Sequence, residues 1–326
     1  MAVFEQCLKK FHRFFIVPVL ISICLAGGVI TPAPAQPATD AIAVLYPDIL
    51  QFKEVFSDII RGIESSSRHK VIPYAVTNEF NQDEFLSWIH ALNIKVIIAI
   101  GNTGTKATEA VKGKIPVINN TFLVPNNENG HISGISLAVD PTPLFNHLTS
   151  LAPGVKRINV VYNPEISGWL IKIAQLPAKK HGLELIAYEA VDLKSAARLY
   201  SKILEQGIPH EDAIWLPQDK TTVNDNVILP MVLKEAWDRS LVVFSSIGAH
   251  AKNGVLFSLY PDNYKLGRSL GDMANGYLDI NSKPLLRIEP LKDIQIAVNI
   301  RTAEHLGLDL RKNINRFDLV FPAPKE

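Results

Sequence analysis

The sequence predicts an α/β protein made of two doubly wound parallel-sheet lobes, and three observations predict it. Short apolar runs alternate with amphipathic stretches along the chain, as strands and their covering helices do. The alternation restarts near residues 140–153, a proline-rich stretch that closes on Pro153-Gly154, so the strands fall into two sets of about four or five. A length of 326 residues with 47% apolar and 20% charged side chains suits two domains, each with a core.

The elements follow in order. Ala41 to Tyr46 reads as a buried strand, and Phe52, Val55, Phe56, Ile59, Ile60 and Ile63 recur at helical spacing, giving one apolar face. A strand over Lys70 to Ala75 and a helix near Asp83 to Leu92 come next. Val96 to Ile100 is apolar on both faces, as a central parallel strand must be. After a loop at Gly101, a short helix near Ala107–Val111 leads to a strand at Ile115–Ile118. The second set opens with a helix near Pro141–Leu151. Strands are expected at 158–162, 183–187, 213–216, 241–244, 255–259 and 294–300. The helices between and after them are expected near 169–180, 195–205, 227–239, 264–278 and 302–306.

The first 35 residues read as an export signal outside this fold. Lys9, Lys10 and Arg13 form a basic segment, Phe14 to Ile30 an apolar run, and Ala33-Pro-Ala35 a small-residue cleavage site. The run is 17 residues long and interrupted by Pro18, Gly27 and Gly28, short of the roughly 20 apolar residues that span a bilayer. Both cysteines, Cys7 and Cys24, fall within it. The exported chain therefore carries no disulfide and no thiolate metal site. With 33 basic and 32 acidic residues the net charge is +1, which gives no electrostatic case for binding nucleic acid.

Two doubly wound lobes place a binding site between them, at the carboxyl ends of the strands. The loops there are polar: Gly101-Asn-Thr-Gly-Thr105, Asn119-Asn-Thr121, Asn163-Pro-Glu165 with Ser167, Gln218-Asp-Lys-Thr-Thr222, and Ser245-Ser246. Such hydroxyls and amides suit a small polar ligand held by hydrogen bonds. Tyr46, Thr103, Thr105, Asn120, Asn163, Ser167, Asp219 and Ser246 are the candidate contacts. Several have a plainer reading: the Gly101–Thr105 amides as a helix cap, Asn163 and Asp219 as turn formers, Ser245 and Ser246 as caps, and Tyr46 as a core aromatic. Trp169 and Trp215 offer rings to stack on a ligand but read more readily as core aromatics, and Trp169, just past the Asn163 loop, is the better ligand candidate of the two. The nine histidines show no metal-ligand spacing, and no nucleophile turn of the Gly-x-Ser-x-Gly kind occurs. No cofactor, metal or catalytic residue is expected, and the chain is not expected to be an enzyme.

The segment Gly254 to Arg268, with Ser-Leu-Tyr-Pro-Asp-Asn-Tyr at its centre, resembles the C-terminal signature of a family of ABC transporter substrate-binding proteins that includes tryptophan- and tyrosine-binding members. Ala297 to Leu308 is similar to the family's closing strand and helix. Ile98-Ala-Ile-Gly101, Val160-Val-Tyr-Asn-Pro164, Leu216-Pro-Gln-Asp219 and Val243-Phe-Ser-Ser246 match further motifs in the family's order. The resemblance implies a type I periplasmic-binding fold with three crossovers, with 36–145 and 254–285 in the first lobe and 146–253 and 286–326 in the second. It places ligand contacts on Thr103, Asn120, Asn163, Asp219 and Ser246, and hinge-side roles on Tyr260, Asp262 and Tyr264. The chain departs from the family at Ile118-Asn-Asn-Thr-Phe122, and at Ile247, where many members carry an acid able to hold an amine.

The function expected is capture of a small polar organic ligand, amino acid-like or otherwise, by a periplasmic or secreted monomer. An ABC permease would receive the ligand. The alternatives are a ligand-sensing module for a receptor or histidine kinase, and an exported α/β hydrolase.

Overall fold

Six of the helices start at an Asn or Asp whose side chain caps the first turn. The structure, a computed structural model, describes residues 40–77, 79–122, 133–279 and 287–323. The export signal read from the sequence, with its two cysteines, lies outside the described residues. In chain order the elements begin β1 (Ala41–Pro47), α1 (Lys53–Ser66), β2 (Lys70–Val76), α2 (Gln82–Ala91), β3 (Ile94–Ile100), α3 (Gly101–Ala107), β4 (Val117–Thr121) and β5 (Ser133–Val139). The second set is α4 (Pro141–Leu151), β6 (Arg157–Tyr162), α5 (Pro164–Lys180), β7 (Glu184–Glu189), α6 (Leu193–Gln206), β8 (Asp212–Leu216), α7 (Ile228–Asp238), β9 (Val242–Ser245), α8 (His250–Asn253) and β10 (Phe257–Pro261). The chain closes with α9 (Asn263–Leu278), β11 (Ile288–Leu291), β12 (Ile294–Asn299), α10 (Ile300–His305) and β13 (Leu319–Phe321). Asn81, Asp140, Asn163, Asp192, Asp262 and Asn299 each accept a backbone N–H in the first turn of the next helix. Such a cap contributes about 1 kcal/mol.

Among the described residues the strands form two sheets, in the orders β11-β5-β4-β3-β1-β2 and β13-β12-β10-β9-β8-β6-β7. Every pairing is parallel except β10 with β12. The two doubly wound parallel sheets expected from the sequence are therefore present. Apolar residues of both sheets, Ile98 and Ile118 from one and Val160 and Phe257 from the other, join one buried cluster.

The chain passes between the sheets three times: from β5 to α4, from β10 to α9, and from β11 to β12. The stretch 254–285, expected with the first lobe, is divided, because β10 is hydrogen-bonded between β9 and β12 in the second sheet. Likewise β11, expected with the second lobe, pairs with β5 in the first sheet. Helix α9 returns to the first sheet by packing on α1. The two helices touch backbone to backbone: a Cβ on Gly62 would lie 2.1 Å from the Tyr264 carbonyl oxygen, and one on Gly267 2.1 Å from that of Ile59.

The sequence expectation differs at further places. Helix α3 starts directly at Gly101, which takes φ +68, so the expected loop is its first turn. β4 lies two to three residues beyond its expected position. β5, β11 and β13 have no counterpart in the sequence reading. β5 (SGISLAV) is rich in small residues that carry little apolar signal, yet it is mostly buried. Gly134 is required there, since a Cβ would stand 2.0 Å from the Asn119 carbonyl oxygen.

Candidate ligand-binding crevice

Residues from both sheets meet around a small hollow. Phe122, at the end of β4, and Ser136 and Ala138 of β5 face it from the first sheet. Ser167 of α5, Gln218 after β8 and Ser246 after β9 face it from the second. Ile166, Trp169 and Leu170 extend the apolar wall, and no charged side chain is among the lining residues. The hollow measures about 40 Å³. On the same measure one water needs about 10–15 Å³, so the hollow has room for a few waters and an organic solute enters only if the two sides part.

Ser246 is shaped for hydrogen bonding. Its Oγ accepts the indole N–H of the fully buried Trp215 at 2.9 Å, and its backbone N–H donates to the Leu216 carbonyl at 3.0 Å. With its oxygen oriented from below, Ser246 retains its own O–H as a donor.

Beneath the crevice, Asp219 organises the loops. It is 1% exposed. Its Oδ2 accepts the Asn163 backbone N–H at 2.8 Å and the Ser167 hydroxyl at 3.1 Å. Its Oδ1 accepts the backbone N–H groups of Thr221 at 3.0 Å and Thr222 at 3.4 Å. Four donors use the four acceptor positions of a carboxylate. Asp219 therefore fixes the loops after β6 and β8 to each other, and Ser167 is the member of this set that also faces the hollow. Asn163 caps α5 by accepting the Glu165 N–H at 2.9 Å. The hydroxyl of Tyr200, near the Asp219 charge and wholly buried, is pushed far above its ordinary pKa, first by burial and then by that charge.

The other sequence candidates lie on the first-sheet side. Tyr46, one residue before the end of β1, sets its ring against Phe56, centroids 5.7 Å apart. Thr103 is half-buried in α3. The Thr105 hydroxyl donates to the Gly101 carbonyl at 3.0 Å, and the buried Asn120 amide donates to the Ile135 carbonyl at 3.0 Å. Of the eight candidates, Ser167 and Ser246 line the hollow, and Asn163 and Asp219 support it from the second sheet. Phe122, Ser136 and Gln218 were not among the candidates. Phe122 carried a signal, an aromatic directly after a strand, whereas Ser136 belongs to the strand that the sequence left unread. Of the aromatics, Trp215 is core, edge-on to Phe145 at 5.6 Å, while Trp169 lines the crevice.

One hydroxyl–imidazole–carboxylate chain stands beside this region. His250 Nε2 lies 3.0 Å from Asp225 Oδ1, and Nδ1 lies 2.9 Å from Ser245 Oγ. The Ser245 hydroxyl donates to the Leu216 carbonyl at 3.1 Å. Ser245 is fully buried, and its oxygen also accepts the Ile247 N–H at 3.0 Å. The chain thus ties the loop after β8 to the loop after β9 and presents no nucleophile to a solute. Among the described residues no group of three or more His, Cys, Asp or Glu is placed to hold a metal ion, and no helix is long and apolar enough to cross a membrane.

A sequence model described as "ABC transporter substrate binding protein" matches residues 69–317. No curated protein sequence matches the chain. Among solved structures, the ligand-free, open form of a Clostridium difficile substrate-binding protein with adhesive properties is similar, with TM-score 0.59 and 17% identity over 86% of this chain and 98% of that one. A conserved domain protein from Vibrio cholerae gives TM-score 0.51 and 18% identity over 87% and 99%. An ABC domain from Streptococcus pneumoniae in complex with L-Trp gives TM-score 0.51 and 18% identity over 86% and 99%. At these identities the likeness is one of fold, that of type I periplasmic-binding proteins.

Proposed function

The chain belongs to the ABC transporter substrate-binding protein family, and from that premise we propose that it captures a small polar organic solute between its two sheets and hands it to an ABC importer. The observation that carries this reading is the crevice itself. Polar and apolar side chains from both sheets converge there, and the loops behind it are fixed by Asp219 rather than left to the ligand. Ser246, Ser167, Gln218 and Ser136 orient the solute by neutral hydrogen bonds, and Phe122 and Trp169 cover its apolar part. Tyr46, Thr103, Thr105 and Asn120 complete the site from the first sheet once the crevice widens. The protein acts as an exported monomer in the periplasm or outside the cell, its signal removed, and releases the solute unchanged.

A thermal-shift screen of the protein from Gln36 onward tests this, using amino acids including L-Trp, nucleosides, sugars and organic acids. A solute at 100 times its dissociation constant adds about 2.7 kcal/mol of stability. The expected hit is one chemical class, its shift reduced by Ser246→Ala and Gln218→Ala. A well-folded sample that responds to no class would overturn the reading.

A further inference from the structure

A second concavity adjoins the crevice at Trp169. It measures about 570 Å³, within the usual size of small-molecule sites, and opens where the ends of β6 and β7 meet the first turns of α5. Trp169 lines both hollows. We propose that this groove binds an organic cation, an ammonium group bearing apolar substituents, between Trp169, Tyr162 and the carboxylates of Glu189 and Glu165.

Three observations support it. First, the groove combines aromatic surface with acid. An aromatic face attracts a cation through its quadrupole, and tryptophan does so best. Glu165 and Glu189 against Lys172 leave one net negative charge among the lining side chains. Second, Glu189 is held in place. Tyr162, nine-tenths buried, donates its hydroxyl to Glu189 Oε1 at 3.1 Å. Burial, and then this bond, raise the pKa of the phenol, so it remains a donor.

Third, Gly168 sits inside α5 at a cost in backbone entropy that no close approach explains. A Cβ there would meet nothing nearer than Pro164 Cβ and the Tyr162 ring, both at 3.9 Å, which is ordinary contact. Glycine at this position leaves open the space beside the Tyr162 ring. Any larger side chain would project into it.

The site does not depend on the crevice reading, and the probe differs from the crevice solute. Choline and its uncharged analogue 3,3-dimethylbutan-1-ol are titrated into the full protein, followed by calorimetry and tryptophan fluorescence. Choline should bind saturably and the alcohol at least tenfold more weakly. Glu189→Gln should weaken choline fivefold or more, Gly168→Leu should abolish its binding, and Lys172→Gln should strengthen it two- to fivefold. Glu189 and Lys172 are exposed, so their variants keep the fold. Absence of saturable choline binding overturns the proposal, as does equal affinity for the alcohol or unchanged affinity in the Glu189 and Gly168 variants. A crevice ligand that binds normally in those variants would leave the first reading standing whatever the outcome here.

Discussion

The most informative single residues are those whose hydrogen-bonding capacity is fully used. Asp219 was legible in the sequence as a polar residue after a strand, but its role was not. Its neighbours in space, Asn163 and Ser167, lie more than 50 positions away, and only tertiary structure shows that both its oxygens are spent. His250 illustrates the same point with a consequence for pH. Burial lowers its pKa below the ordinary 6.5, opposed by the bond and the charge of Asp225, and burial likewise lowers that of His147. In the unfolded chain both titrate near 6.5, so below that pH the unfolded state binds more protons. Their contribution to stability is complete above pH 6.5 and is lost as the pH falls through 6.5 toward the depressed folded values. Urea unfolding followed from pH 7.5 to 5 should show stability falling, and His250→Gln should flatten the fall. An identical slope in the variant would remove His250 from the account.

At the scale of elements, the crossing of α1 and α9 decides how the third segment of chain rejoins the first sheet. Gly62 and Gly267 let the helices approach to backbone contact, and a methyl group at 62 would overlap the Tyr264 carbonyl at 2.1 Å. Gly62→Ala should cost about 1–3 kcal/mol of unfolding free energy, as overpacking does. Gly168→Ala, with only 3.9 Å contacts, should instead stabilise by about 0.5–1 kcal/mol through the helix entropy that glycine forfeits. Chemical denaturation of the two variants side by side checks this, and a neutral Gly62→Ala would mean that the helices separate freely. The helices with strong apolar stripes and capping residues were readable along the sequence. β5 was not: its small residues give no alternation, and its burial comes from β4, β11 and α9 closing around it.

For the whole molecule, the three passages between sheets matter most. They are bound to one another: the Asp140 N–H donates to the Leu291 carbonyl at 2.8 Å, and that of Asp262 to the Asp293 carbonyl at 2.9 Å. Asp262 also caps α9, and Tyr260, at the end of β10, has its hydroxyl pKa pushed up to about 12, chiefly by burial. Because the crevice is only about 40 Å³, solute entry requires the sheets to separate about these passages. The chain has no cysteine after Cys24, so labels at Lys112→Cys and Lys194→Cys report one distance between the two sides. A solute found in the thermal screen should shift and narrow that distance distribution. A distribution indifferent to a stabilising solute would place binding elsewhere.

The sequence by itself determined the fold class, the number of sheets and the polar character of the loops, because these follow from local periodicity and from the residues that end strands and cap helices. Tertiary structure alone decided which sheet takes β10 and β11, which of the polar loop residues face the crevice, and which lie beneath it with every acceptor occupied. Those outcomes depend on hydrogen bonds and close contacts between residues far apart in the chain, and the spacing of residues along a sequence carries no record of them.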